Sequence, residues 1–205
     1  MNENRKYISL KFSRGSRPKP SRMYEDYGYV LDFLPYGRPS REGFKPTSFP
    51  VAQVLGEKYF TLLEVKLKPG TEVRIREKIY IGKENKRDKV ERVLGKLSYE
   101  ELTGIAKSEL LATIEEIVKA QERRFVAFFN NAQAVTPRMH ALELIPSIGK
   151  KSMWQIINER EKKLFQNFKD LQERTGLPNP VKIVAKKIFE ELSGEPKYRL
   201  FTRPP

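Results

Sequence analysis

The stretch that decides the reading is Leu144-Ile145-Pro146-Ser147-Ile148-Gly149-Lys150-Lys151-Ser152-Met153. Pro146 to Gly149 turns the chain, because Pro cannot continue a helix and Gly accepts backbone conformations closed to other residues. Met153, Ile156 and Ile157 then recur at helical spacing. A helix that opens behind a glycine leaves its first N–H groups without intrahelical acceptors, pointing at whatever lies in front. Lys150 and Lys151 add charge at the positive end of the helix dipole, so the arrangement favours an anion, phosphate above all. Gly149 has no Cβ and lets that anion approach the backbone closely. The alternative is a turn that serves packing alone.

This stretch resembles the helix-hairpin-helix motif, in which such a turn holds a nucleic-acid phosphate through backbone amides. The motif usually has a first Gly where this chain has Ser147. Thr136-Pro137, a capping hydroxyl followed by Pro, predicts the start of the helix leading in, which should run to about Ile145. A degenerate copy follows. Thr175-Gly176-Leu177-Pro178 aligns with Pro146-Ser147-Ile148-Gly149, and the last helix places Val181, Val184, Ala185, Ile188, Phe189 and Leu192 on one face before Gly194. The copy has Pro178, which donates no N–H, where the first has Gly149, and it lacks the Lys pair, so it reads as structural. Leu164, Phe165, Phe168 and Leu171 mark a helix between the two.

Working outward, the first half is β. Tyr27–Leu34 is aromatic and β-branched and stops at Pro35-Tyr-Gly-Arg-Pro39. Val51–Leu55 and Tyr59–Leu67 read as a hairpin around Gly56-Glu57-Lys58, and Val90–Leu97 as a last strand. Glu72–Gly82 is read as a strand with Val73, Ile75, Ile79 and Ile81 on one face and Arg74, Arg76, Lys78 and Tyr80 on the other. Three cations and an aromatic on one exposed face suit a phosphate backbone with a stacked base; an ordinary solvated face is the alternative. Lys83, Lys86, Arg87 and Lys89 extend the patch. Tyr27, Tyr29 and Phe33 alternate, a spacing more often core than stacking platform. Strand count and turns point to a small barrel, with the OB-fold as candidate. Ser98-Tyr-Glu-Glu101 is a capping box opening a short helix, and Ser108 caps a longer one ending at Asn130-Asn131.

The expected fold class is α+β: residues 1–22 a basic arm with seven cations against Glu3, 23–97 an OB-like barrel, 98–131 linking helices, and 132–205 an all-α tandem helix-hairpin-helix domain. Charge supports a polyanionic partner, with 40 Lys and Arg against 26 Asp and Glu among 205 residues and a net charge of +14. The absence of Cys excludes disulfides, thiolate catalysis and Cys-ligated metals, and a single His140 excludes a His-rich metal site. No phosphate-cradling GxxxxGK[ST] loop, GxGxxG or HExxH is present, so no cofactor, metal or catalytic residue is expected. No apolar run approaches a membrane span, and a cytoplasmic protein is expected. Helix-hairpin-helix DNA glycosylases place a Lys after the turn and an Asp downstream, roles open here to Lys151 and Asp170, but the β-rich first half leaves little room for their larger helical fold.

Several stretches together resemble the archaeal "domain of unknown function 655" family: Tyr29-Val-Leu-Asp-Phe-Leu-Pro35, Tyr59-Phe-Thr-Leu-Leu-Glu64, Tyr80-Ile-Gly82, Arg87-Asp-Lys-Val-Glu-Arg92, Ser98-Tyr-Glu-Glu-Leu102, Phe128-Phe-Asn-Asn-Ala-Gln133, Ile148-Gly-Lys-Lys151, Met153-Trp154 and Tyr198-Arg-Leu-Phe-Thr202. The resemblance spans about Tyr24 to Arg203. It implies an archaeal cytoplasmic protein with the barrel and helical halves above, described as predicted RNA- or nucleotide-binding. The expectation is therefore a non-enzymatic nucleic-acid-binding protein, RNA favoured and DNA the alternative. It would bind through Ser147, Gly149, Lys150, Lys151 and Ser152 and through Arg74, Arg76, Lys78 and Tyr80. A DNA-processing protein and an adaptor on ribosomal or transcription machinery are the competing readings.

Overall fold

The computed structural model describes residues 24–39 and 48–202, so the expected basic arm lies outside the described residues. Five strands come first: β1 Tyr27–Leu34, β2 Val51–Gly56, β3 Leu62–Leu67, β4 Lys78–Tyr80 and β5 Val90–Lys96. They form one sheet in the order β4-β1-β2-β3-β5, every pair antiparallel. The result is a curled half-barrel rather than a closed one. The pairings explain the opening. β1 and β3 run the same way, so β4 and β5, each antiparallel to one of them, also run the same way. Closing the ring would need a parallel β4–β5 pair, and a parallel connection takes about a dozen residues or more, whereas only residues 81–89 separate the two strands.

Both faces of the sheet are buried, which is why β2 is apolar nearly throughout. The inner face of the half-barrel closes over Val30, Val54, Leu63, Val65, Leu67, Val73, Ile79, Ile81 and Val90. The other face joins the helices in a continuous core that includes Tyr29, Leu31, Leu55, Phe60 and Leu62. A bulge at Leu31 breaks the alternation expected of β1: Val30 pairs with Val54 and Asp32 with Gln53, leaving Leu31 extra. Tyr29 therefore faces the helices while Phe33 packs on the inner core, and Tyr27, at 42% exposed, belongs to neither.

The helices are α1 Gly104–Ala120, α2 Glu122–Asn131, α3 Lys150–Lys162, α4 Phe168–Thr175 and α5 Pro180–Ser193. The capping box at Ser98 closes only a turn. Thr103 is the true N-cap of α1, its Oγ1 accepting from the Ala106 amide and donating to Asp32 Oδ2 at 2.6 Å. Its N–H also donates to Gln53 Oε1. This buried network fastens the sheet to α1, and Ser108 lies inside the helix with its hydroxyl on the Ile105 carbonyl. Ile114, Ile117 and Phe125 are fully buried between sheet and helices. Gln121 interrupts what the periodicity reads as one helix, with its side chain on the Glu57 carbonyl.

The helix expected from Thr136-Pro137 does not form. Ala134–Thr136 and Met139–His140 pair as a small hairpin, β6 and β7, with Pro137 in the turn and Thr136 Oγ1 accepting from the Arg138 amide. A hydroxyl before Pro suits a tight turn as well as a helix start. Only a single 3-10 turn, Ala141–Leu144, leads into the following loop. Leu164 and Phe165 likewise precede α4 rather than belong to it.

Candidate nucleic-acid interface

The turn between the 3-10 segment and α3 is built from short-range bonds. His140 caps the 3-10 segment, Nδ1 accepting from the Leu142 amide at 3.1 Å, while Glu143 returns a carboxylate to the His140 N–H. Burial, and then the nearby Arg160 charge, hold the His140 pKa below its ordinary value against the opposing pull of Glu143. Ile148 donates to the Ile145 carbonyl. Between them Ser147 takes a left-handed φ of 68°, the conformation for which such a turn usually has glycine. Ile148 is buried and pins the loop to the core.

Gly149 is the N-cap of α3 and supplies no side-chain hydrogen bond to it. A Cβ built on Gly149 meets nothing within 4 Å, so the space before the helix is open. Met153 is the first residue to donate to the turn, to the Gly149 carbonyl. Lys150 and Lys151 are exposed, Ser152 is half-buried, and neither lysine enters an ion pair among the described residues. The loop also lines a shallow depression in which Ser147 and Gly149 stand beside Glu143 and Glu190, so two carboxylates border one side of the turn while Lys150 and Lys151 follow it on α3.

The loop before α5 begins in the same way and is one residue longer. Gly176 has φ 67° and Leu177 is buried. There, however, Asn179 caps the helix through its side chain, accepting from the Lys182 amide at 3.1 Å, and Pro180 opens it.

The expected basic strand face is not built. Only Lys78–Tyr80 is strand. Arg76 has φ 63° in a turn closed by the Glu77 amide on the Arg74 carbonyl, which leaves Ile75 40% exposed and breaks the alternation. Strict period-two reading cannot see one left-handed residue. Arg76 pairs with Glu109 at 2.8 Å and Lys78 with Glu57 at 2.7 Å, so each cation already has an acidic partner. Burial lowers the Lys78 pKa, but the hydrogen bond and charge of Glu57 outweigh it and the net shift is upward. Lys78 also lies over the Tyr27 ring, 4.6 Å from its centroid, and Tyr80 meets Tyr27 edge-on. Lys83 sits 3.9 Å from the Tyr24 centroid. What the fold gathers here is a tyrosine–lysine cluster at the β4 edge, with Arg74 outside it.

Asp170 lies in the first turn of α4, behind its N-cap Asn167, accepts from the Gln166 amide and pairs with Arg174 at 3.4 Å. Among the described residues no group of three or more metal-ligating side chains comes together, and no helix is long and apolar enough to cross a membrane.

Three residues escaped the sequence reading. Trp154 is 58% exposed on α3, one turn from Lys150; a helical wheel with Met153 and Ile156 inward would have put it outside. Buried Glu25 accepts from the amides of Lys58, Tyr59 and Thr61 and so holds the β2–β3 turn. Fully buried Glu191 accepts from the amides of Leu200, Phe201 and Thr202, binding the C-terminal segment to α5. No local pattern announces either carboxylate.

The same arrangement of sheet and helices has archaeal counterparts. The crystal structure of Af1531 from Archaeoglobus fulgidus matches with a TM-score of 0.79 at 45% identity, covering 87% of this chain and 100% of that one. Uncharacterized protein MJ0038 of Methanocaldococcus jannaschii is 48% identical over 196 residues, 95% of this chain and 86% of that protein. The family model described as "Protein of unknown function (DUF655)" matches residues 24–203, and the chain belongs to that family.

Proposed function

We propose that the protein binds nucleic acid, RNA in preference to DNA, and holds a backbone phosphate at the start of α3. The observation that carries this is the uncapped first turn of α3, open in front of Gly149 and flanked by two exposed lysines without ionic partners among the described residues. Amides at a helix start bind phosphate without regard to base identity. The segment from Ala141 to Lys162 then acts as a helix-hairpin-helix unit whose first helix is reduced to a 3-10 turn, and the loop before α5 is its structural copy. The OB-like reading of the half-barrel finds support in its five strands and open edge, and the Tyr24, Tyr27, Tyr80 and Lys83 cluster is the second surface suited to bases and phosphates. A net charge of +14 raises the local concentration of such a partner. A soluble cytoplasmic role with ribosomal or transcriptional RNA fits this chemistry.

The test is binding of labelled RNA by the full chain across a salt series. Lys150→Ala/Lys151→Ala should weaken binding for all sequences alike and flatten the salt dependence by about 0.7–0.9 in log–log slope for each phosphate that the variant no longer neutralises. Circular dichroism confirms that the variant is folded. Unchanged affinity and slope would make the turn a packing device and leave the adaptor reading.

A further inference from the structure

The one tryptophan of this chain stands out against the rest of the molecule. An indole is among the largest apolar groups, and exposing one forgoes burial that the core would use. The buried face of α3 consists of Met153 and Ile156. Trp154, between them in sequence, projects away and is 58% exposed. No ring and no cation stacks on it among the described residues.

At adjacent-turn spacing on α3, the charged positions around it have one sign. Side chains on a helix lean toward the N-terminal turn, so a residue covers the surface one turn before its own Cα. For Trp154 those positions are Lys150 and Lys151, four and three residues back. The positions three and four residues ahead are Ile157 and Asn158, both uncharged. Glu159 is held by Lys162 and Arg174, further along the helix. The indole thus borders two unpaired cations and no carboxylate at helical-neighbour spacing. An aromatic plane beside paired positive charges is the combination that takes a nucleobase on the ring and its phosphate on the cations. The separation along the axis, four residues at about 1.5 Å each, is within the reach of one nucleotide.

From this patch we infer that the target of the α3 turn is unpaired nucleic acid, with Trp154 stacking a base whose neighbouring phosphate lies on Lys150 and Lys151. The inference rests on the phosphate reading of the turn and adds the substrate class to it. A duplex presents its phosphates to the lysines but keeps its bases stacked on one another, and the indole gains a partner only where a base is already free or is turned out at the cost of unstacking. Single strands, loops and frayed ends therefore bind more tightly than a blunt duplex. The preference is indifferent to sequence, since every base has a π-face.

Because the chain has a single tryptophan, its fluorescence reports on this position alone. The experiment uses the full chain with a short single-stranded RNA and a blunt RNA duplex of the same sequence, following anisotropy of the labelled RNA and tryptophan emission together. The single strand is expected to quench emission at saturation and the duplex to leave it nearly unchanged. Trp154→Ala should weaken single-strand binding by about 5- to 150-fold, the range for one base–aromatic stack, with little effect on the duplex, and Trp154→Phe should restore most of the loss. An exposed position tolerates both variants, and circular dichroism verifies it. If the single strand binds with Lys150 and Lys151 needed, yet Trp154→Ala binds as the parent and emission does not respond, the stacking inference fails and the phosphate reading stands. If Lys150→Ala/Lys151→Ala is also without effect, both fail. Loss of self-association in Trp154→Ala with RNA binding intact would assign the indole to a protein contact and overturn the inference.

Discussion

The loops before α3 and α5 begin alike and then diverge: the N-cap follows the left-handed residue by two positions before α3, with Gly149 extended at φ -90°, and by three before α5, with Asn179 itself left-handed at φ 41°. Each has a left-handed residue, Ser147 at 68° and Gly176 at 67°, followed by an aliphatic side chain that is 4% exposed, Ile148 or Leu177. They part at the helix start. Before α5, glycine takes the left-handed position, Asn179 caps the helix and Pro180 has no N–H to satisfy. Before α3, a serine occupies the left-handed position, no side chain caps the helix and two lysines follow. The second loop uses the residues that its shape prefers. The first has neither glycine at the left-handed position nor a side-chain cap on its helix. On the proposed reading a phosphate at the α3 end would account for both: the amides stay open for it, the lysines would neutralise it, and the exposed Ser147 hydroxyl would offer another donor.

Breaking the better-made loop should have the largest effect on stability. Asn179→Ala removes the side-chain cap of α5 and places a Cβ-bearing residue at φ 41° without asparagine's local hydrogen bonding. The loss should be about 1–2 kcal/mol, a fall in Tm of about 2–8 °C in a chain of this size. Denaturant or thermal unfolding measures it, and RNA binding at low temperature should be unaltered. A Tm within error of the parent would show that α5 is held by its core contacts alone.

Ser147→Gly gives the first loop the residue of the second. Relief of the left-handed Cβ, less the greater freedom of glycine in the unfolded chain, leaves a gain of about 0.5–1 kcal/mol. Gly176→Ser should do the reverse. A Tm that falls for Ser147→Gly would mean that the Ser147 hydroxyl holds the loop in the free protein.

The pair of loops also shows where sequence reading succeeds. The aligned turns were legible because a turn is fixed by a few adjacent residues: Pro, Gly and a following aliphatic residue locate it whatever surrounds it. β1, read as Tyr27–Leu34, has those bounds, since its aromatic and β-branched run is local too. The strand expected over 72–82 failed on one residue, Arg76, whose left-handed φ is fixed by its amide on the Val30 carbonyl of a strand far away in sequence. Thr136-Pro137 failed because the same dipeptide serves a helix start and a tight turn, and pairing of β6 with β7 decided between them. The cations Arg76 and Lys78 looked free because Glu109 and Glu57, which pair with them, lie 33 and 21 residues away. Trp154 was legible from helical spacing alone, but a motif-led reading stops at the glycine and the lysines.

Gly149→Asn sharpens the comparison by moving the cap of the second loop onto the first. The open space at the Gly149 Cβ admits the side chain. Its stabilising effect is only a few tenths of a kcal/mol, because glycine is already a tolerable N-cap. The informative readout is binding. The asparagine oxygen occupies an amide that phosphate would use, so affinity should drop while Tm holds or rises slightly. Opposite signs for stability and binding are what a site built for an external anion predicts. If binding is untouched, the amides of this turn do not hold the phosphate.

The smallest expected effect is a pH dependence confined to one loop. The segment entering the first loop is capped by His140, whereas α4, entering the second, is capped by Asn167, which does not titrate. His140 accepts from the Leu142 amide through Nδ1, so a proton there abolishes the cap. Burial and the Arg160 charge depress the folded pKa below the value of about 6.5 in the unfolded chain. Above that value His140 is neutral in both states and the cap contributes in full. As pH falls below it, the unfolded chain takes up the proton first, and the contribution is lost progressively down through the folded pKa. Tm measured from about pH 7.5 to about 5.5 should therefore fall slightly more for the parent than for His140→Asn, whose side chain can cap without titrating. The excess should be no more than about 2 °C. Carboxylates elsewhere, such as Glu64, raised by its burial, titrate alike in both proteins and cancel in the difference. Identical pH profiles would place the His140 cap outside the cooperative unfolding of the molecule, and the 3-10 segment would then be a loosely held entrance to the α3 turn.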